Sequence, residues 1–479
     1  MRRLTIGLLL ILLAGCASSA GPTAPTTQPG QLAERPTVTS AAPPPPTSGS
    51  PPAGSRPAEI SIVYESPEEG AVRSITAAGV LRELAEPTGN PHRVPWSASP
   101  DGRTVAVVVL RGKTPKDGFD RATLWTAGID ESNPTQLLDL THPAPDQLDS
   151  IDAASLDSAL GNPGFQRLAW SADGTQIIVA SAHEGQVDLY AVPAAGGAPR
   201  RLTDTPALEF AATLSPDGSR IAYASASSFG TGAGWSDPAA AVQDLDGSSA
   251  GSITIESGSV ELAGWLNNET IIALTRDGGT GRTTILALGN GSAPRRISSG
   301  STQISWGLWP GMFVFADASG PSAGSIVPVA IWDGSAPRET YLEVSATQLR
   351  VSPDPELMLL CTEYAVGQVR REIWRAGEGV EIGDGACGDA QWADDGALAV
   401  GGARDQEPLI VGPDGGVRGK LPAGSILAGW AGADLYFFAP SGAGAWQLYR
   451  LNGAGQDAPA PVGPALAFPP AEPRIVASR

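Results

Sequence analysis

One short pattern recurs along most of this chain: an apolar residue, often tryptophan, then a Ser/Ala-x-Asp-Gly turn, then a β-rich run. Trp96-Ser97-Ala98-Ser99-Pro100-Asp101-Gly102 leads into Thr104–Val109. Trp170-Ser171-Ala172-Asp173-Gly174 leads into Gln176–Ala180, and Leu214-Ser215-Pro216-Asp217-Gly218 into Arg220–Ala224. Worn copies begin at Trp265, Trp306, Val351, Trp392 and Trp430, and the most degraded runs from Ala465 to Pro470, ahead of Arg474-Ile475-Val476-Ala477. Their spacing is about 40–50 residues, apart from one long gap between the first two copies. Asp-Gly supplies the positive φ that a tight turn between two strands needs.

Each copy continues with a third alternating run, a Gly-rich turn and a fourth. Val187–Val192 turns at Ala195-Gly196-Gly197 into Pro199–Thr203, and Thr284–Leu288 turns at Gly289-Asn290-Gly291 into Arg295–Ile297. Period-two alternation bounded by Gly, Asn and Asp is the signature of strands and hairpins. Four short strands per repeat of this length describe one blade of a β-propeller. The expected fold is therefore all-β: a single β-propeller of four-stranded antiparallel blades. The tryptophan or leucine before each turn is expected to wedge between neighbouring blades. Residues 60–84 read as a blade lacking its first strand, which the copy near Ala465 would supply to close the ring and leave no long open edge. The literal count reaches nine. Single propellers usually have four to eight blades, so the expectation is eight, with seven or nine as alternatives.

The Ser-Pro-Asp-Gly repeats resemble TolB-like propellers, a WD40-like family, over nearly all of 59–479. This resemblance implies protein partners at a bacterial envelope. The separate N-terminal α/β domain of TolB is absent here. Gln391–Val400 is also similar to the propeller of the lipoprotein LpqB, which suggests a regulatory partner of a membrane sensor.

The first residues carry an address. Arg2 and Arg3 precede an apolar run from Leu4 to Ala14, and Leu13-Ala14-Gly15-Cys16 ends it. A basic start, a short apolar stretch and a small-residue cleavage site make a secretory signal. The run is about half the roughly 20 residues a spanning helix needs. With cysteine at the cut, 1–15 resembles a bacterial lipoprotein signal, which implies that Cys16 takes a diacylglycerol, with palmitate-type acyl chains as membrane anchor. Residues 16–58 are rich in Pro, Ser and Thr and hold Pro43–Pro46, a composition that stays extended or disordered. As a tether they would span on the order of 100 Å. The expected organisation is thus signal peptide 1–15, lipidated linker 16–58 and propeller 59–479, exported and anchored to a bacterial membrane.

Net charge is −19 over 479 residues, and residues 17–58 carry little of it. An acidic body repels phosphate backbones, which excludes nucleic acid as the natural partner and removes any pull toward anionic lipid. A monomer held by its lipid alone is expected. Cys361 and Cys387 remain after Cys16, and an exported setting favours a disulfide between them. Two buried free thiols are the alternative, since Cys361 follows the strand-like Met358-Leu359-Leu360.

Three features break the repeat or point inward. In the long gap, Leu148, Ile151, Leu156, Ala159 and Leu160 share a helical face, so a short amphipathic helix over 146–160 is expected on the rim, as packing or as a lid. The insertion 227–237 presents Phe229 and Trp235 on a Gly-rich loop, either as an exposed partner-binding anchor or tucked onto the blade. Before each first strand stands a polar residue: Arg93, Arg167, Glu209, Glu261, Gln303, Gln348 and Asp389. These would ring the channel mouth as a ligand-binding set, or merely solvate loop ends.

No catalytic constellation emerges. Gly320–Gly324 and Gly247–Gly251 fit Gly-x-Ser-x-Gly, but a nucleophile elbow needs a following helix and a later histidine. His92, His142 and His183 all lie upstream. Their scatter gives no metal site, Asp244-Leu245-Asp246-Gly247 reads as a hairpin turn, and no cofactor motif appears. The expectation is a non-catalytic scaffold binding an envelope protein, peptide or glycan. The alternative is a propeller lyase or glycosidase using channel carboxylates, which would need two of them about 5–10 Å apart, one with a raised pKa.

Overall fold

The computed structural model describes residues 60–477 apart from short stretches, of which the longest are 113–118, 319–326, 335–339 and 453–457. The signal, Cys16 and the linker lie outside the described residues, as do Gly320–Gly324 and residues 247–249.

The described residues between 60 and 477 form a β-propeller of nine four-stranded antiparallel blades. Blade 1 joins Ala471–Ala477 to Ile60–Ser66, Ala71–Thr76 and Leu81–Glu83. Blades 2 to 9 follow in chain order over 96–139, 169–201, 208–254, 259–296, 303–346, 348–384, 390–420 and 426–466. Every worn copy is thus a blade, and the count is nine rather than eight. The ring closes as the repeat pattern requires: Ile60 pairs with Ala477, Ser61 with Val476 and Ile62 with Ile475. The C-terminal strand becomes the first strand of the blade that the N-terminal segment completes.

The turn motif works through hydrogen bonds that its sequence fixes. Ser99 Oγ donates to Asp101 Oδ1 at 2.6 Å, and that carboxylate accepts Arg103 N at 3.0 Å. Ser99 Oγ in turn accepts Thr104 N at 3.0 Å, and Gly102 takes φ 67°. Ser171–Asp173–Thr175 and Ser215–Asp217–Ser219 repeat the arrangement. Each turn satisfies its own backbone donors before the second strand begins.

Apolar side chains pack between blades rather than into one centre. Ile62, Tyr64 and Ile75 of blade 1 meet Tyr436, Phe438 and Leu448 of blade 9. The tryptophans wedge as expected and add a polar tie. Trp170 Nε1 donates to Ser97 O of the preceding blade at 3.2 Å, Trp265 Nε1 to Thr213 O at 3.3 Å and Trp430 Nε1 to Gln391 O at 2.9 Å. Each indole buries apolar area while its N–H finds a carbonyl.

Cys361 and Cys387 are joined by a disulfide with Cα atoms 5.9 Å apart. It ties the second strand of blade 7 to the segment leading into blade 8.

The insertions pack together above blades 2 to 4. Helix α1 spans Ser150–Gly161, starting later than expected. Ala159 and Leu160 are buried, but Ile151 is 54% exposed and Ser155 takes the buried place instead. Ser155 Oγ accepts Phe229 N at 2.8 Å and Asp157 Oδ1 accepts Phe119 N at 3.1 Å, so the helix clasps two neighbouring loops.

Candidate functional site

First strands of successive blades lie beside one another around the axis, so their starts gather at one mouth. The polar set was expected just before each first strand. Glu209, Glu261, Gln303 and Gln348 fall within the first three residues of their strands, and Arg93, Arg167 and Asp389 stand just before theirs. Their side chains do not form one continuous ring. They divide among separate clefts, and one of them is buried.

A charged cleft of about 320 Å³ opens between the first strands of blades 1, 2 and 3. Its lining includes Glu65, Trp96, Arg167, Glu472 and Arg474. Glu65 is 1% exposed and accepts Arg93 Nε at 2.7 Å and Val94 N at 3.4 Å. Burial pushes the Glu65 carboxyl above its ordinary range, and the Arg93 guanidinium opposes that shift. Arg93 also pairs with Glu472, and its own pKa rises because both carboxylates hold its proton. Arg474 lies 3.8 Å from Glu472 and places its guanidinium over the Trp96 ring, 5.6 Å from the centroid. Arg167 Nη1 donates to Leu262 O at 3.0 Å, reaching from blade 3 to the first strand of blade 5.

Backbone irregularity aims these groups. Glu472 has φ 44°, a left-handed conformation unusual for a side-chain-bearing residue, at a bulge where the strand pairing shifts between Val63 and Glu65. Bulges re-aim side chains, and strain of this kind persists only where surrounding structure enforces it. Here the enforcing contacts include the ion pair with Arg93. Ala211, at φ 54°, occupies a similar bulge in the first strand of blade 4.

The remaining members go elsewhere. Glu261 lines a cleft of about 390 Å³ with Arg276 and Trp306. Asp389 lines a third, of about 660 Å³, with Trp446 and Pro469. Gln348 is exposed, and the Gln303 side chain lies outside the described residues.

Glu209 does not face the mouth. It is 1% exposed and hydrogen-bonds the equally buried Asp188 of blade 3. Burial raises the Asp188 carboxyl above its ordinary range, and Arg201, which donates to Asp188 Oδ2 at 2.6 Å, opposes that shift. Burial pushes Glu209 up to about 8, and the neighbouring Asp188 charge adds to the shift.

Phe229 and Trp235 are likewise not an exposed anchor. Trp235 is 5% exposed, stacked on Phe210 at 4.3 Å and edge-on to Phe165 at 5.2 Å, while half-buried Phe229 packs against it at 4.8 Å. Four aromatic rings gain more by covering one another than by facing water.

Sequence reasoning missed Glu65, Glu472, Arg474 and Asp188. A signal for two of them existed: Glu472-Pro473-Arg474 stands at the start of the closing strand, where the other blades carry their polar residue. Ser181 Oγ lies 2.9 Å from His183 Nδ1, with Glu184 3.8 Å beyond Nε2. The order resembles a nucleophile, base and acid. Ser181 is fully buried, however, so its hydroxyl meets no substrate. Among the described residues no group of three or more His, Cys, Asp or Glu side chains is placed to hold a metal.

No protein-family model matches the chain, and no curated protein matches it. Solved structures do. The uncharacterized protein lmo1340 from Listeria monocytogenes is 12% identical, with 63% of this chain and 83% of that one covered and a TM-score of 0.36. Dipeptidyl peptidase 4 from Porphyromonas gingivalis is 8% identical over 81% of this chain and 64% of that one, at a TM-score of 0.49. A putative TolB from Agrobacterium tumefaciens is 17% identical over 60% and 89%, at 0.30. Prolyl endopeptidases and acylaminoacyl peptidases also match, and the chain spans 55% to 64% of the length of these peptidases. Likeness at this identity speaks to the fold alone.

These neighbours correct the expectation of a non-catalytic scaffold. That reading rested on the lack of a catalytic constellation, yet solved peptidases are among the structures the chain resembles. The lyase or glycosidase alternative gains no support either. Glu65 and Glu472 are tied up by Arg93, and Asp188 and Glu209 are buried away from any cleft.

Proposed function

We propose that this chain is the polypeptide-admitting propeller of a peptidase-type activity outside the cytoplasm. One observation carries the reading: the cleft at the channel mouth is lined by Arg167, Arg474, Glu65 and Glu472, with Arg93 bridging the two carboxylates. A peptide is itself zwitterionic at its ends and offers donors and acceptors along its backbone. A mixed-charge mouth complements it better than it complements an apolar ligand or a polyanion. The peptidases among the solved neighbours agree with this reading in architecture.

Export and lipid attachment at Cys16 belong to the same proposal. The N-terminal sequence supports them, and so does the Cys361–Cys387 disulfide, since such bonds persist in oxidising compartments. The Ser-Pro-Asp-Gly turns support kinship with TolB-like propellers, and Gln391–Val400 a further kinship with LpqB. An envelope polypeptide is the expected partner, met by a monomer.

The test is to incubate the purified full-length chain with a defined mixture of unstructured peptides and follow both retention and new termini by mass spectrometry. The proposal expects selective retention, with cleavage in the chain's native membrane extract, both weakened when Arg93 is changed to Ala. Peptides that neither bind nor are cut would overturn it.

A further inference from the structure

Within the cleft between blades 1, 2 and 3 the charges do not balance. Glu65 and Glu472 line it with Arg167 and Arg474, and Arg93, from outside the lining, pairs with both carboxylates, so the two lining guanidinium groups are left in excess. This excess sits in a chain of net charge −19. Arg93 is fully engaged, bridging Glu65 and Glu472. Arg474 has only a long 3.8 Å approach to the already shared Glu472. Arg167 has no carboxylate partner among the described residues, and its hydrogen bond goes to the neutral Leu262 carbonyl.

Both arginines are nevertheless held in place. The Trp96 face supports the Arg474 guanidinium, and the Leu262 carbonyl fixes one arm of Arg167. A planar guanidinium that is positioned but not neutralised is suited to a two-oxygen anion, which it meets with parallel N–H donors. Pro95 and Leu168 line the same space, so part of the wall is apolar, while the Arg474 side chain stays 67% exposed to water. At about 320 Å³ the cleft takes a residue or two of extended chain, not a folded surface.

We infer that this cleft is a carboxylate-recognition site that takes the free C-terminus of a polypeptide, with Arg167 and Arg474 donating to the terminal carboxylate. The inference rests on the polypeptide reading above and adds which end of the chain enters. Glu65 and Glu472 then act as positioning residues. They occupy Arg93, and Glu472, fixed by its bulge, borders the pair of arginines that receives the ligand. The arrangement also discriminates: a peptide ending in an amide brings no charge to offset the spare guanidinium groups.

The test is a fluorescence-anisotropy titration of the full-length chain with one labelled hexapeptide in three forms: free acid, C-terminal amide and N-acetylated acid. The free acid should bind about tenfold or more tightly than the amide, as expected for charge-assisted hydrogen bonds. N-acetylation should leave the affinity unchanged. Arg167→Gln and Arg474→Gln should each shrink the affinity ratio of acid to amide toward one. Because acid and amide are compared on the unaltered chain, the result does not depend on how well a variant folds. Equal binding of acid and amide would overturn the C-terminal inference and leave the polypeptide reading standing. Failure of all three forms, together with a long unfolded polypeptide, would overturn both.

Discussion

Asp188 of blade 3 and Glu209 of blade 4 face one another inside the protein, and the Thr203 hydroxyl lies 3.4 Å from the first carboxyl and 3.3 Å from the second. Thr205 also contacts Glu209, while Arg201, Glu184 and Asp204 stand around the Asp188 side. The pair forms part of the joint between two blades, and one proton serves both acids.

This joint makes stability depend on pH with a definite sign. Glu209 is held at about 8 in the folded state, above the ordinary 4.5 it regains on unfolding. Below 4.5 both states are protonated and the joint contributes fully. As pH rises toward 8 the unfolded state loses its proton first, so the folded state loses relative stability. The penalty approaches on the order of 4 kcal/mol above pH 8. Glu209→Gln keeps a donor toward Asp188 at every pH. Urea midpoints should coincide near pH 5 and favour the variant at pH 9. Parallel pH profiles would show that the shared proton is not there.

Replacing Cys361 and Cys387 together with alanine should lower unfolding free energy by about 3 kcal/mol, the chain-entropy value for a loop of this size. Wild-type protein unfolded with reductant should match the double variant. A reductant-insensitive midpoint would mean that the two sulfurs are not bonded.

Trp235→Ala should cost about 3–5 kcal/mol, as for other large aromatic truncations in a core. Trp235→Phe should recover most of it. Peptide affinity should not change, since the ring packs on Phe210, Phe165 and Phe229. A stable Trp235→Ala protein with lost binding would restore the exposed-anchor reading that the structure contradicts.

Metabolic labelling with palmitate should mark the wild-type chain and not Cys16→Ser, and the variant should leave the membrane fraction. Label retained on Cys16→Ser would remove the anchor from the account.

The repeat was legible because it is local. Ser99, Asp101 and Gly102 build their turn from neighbours in sequence, so the motif announces the structure it makes. Blade closure was legible for a related reason: Ile60–Ser66 lacks an inner partner and Arg474–Ala477 lacks an outer one. The count fell short because the usual upper limit for propellers outweighed nine copies that were all present. The site was legible only in part. Strand starts can be read from periodicity, which placed Arg93 and Arg167, but burial cannot. Glu209 and Glu261 look alike in sequence, yet one meets Asp188 across a blade joint and the other lines an open cleft. Glu472 was hidden by its distance of 379 positions from Arg93 along the chain, a separation that only ring closure removes.

The central claim is that polypeptide enters at the mouth formed by blades 1, 2 and 3. It is tested most directly by photocrosslinking a peptide that carries a benzophenone next to a free C-terminus, followed by mapping of the adducts on the full-length chain. The account expects adducts within 94–97, 166–168 and 471–474, suppressed by excess free-acid peptide. Adducts confined to the outer strands of the blades, or spread without saturation, would contradict it.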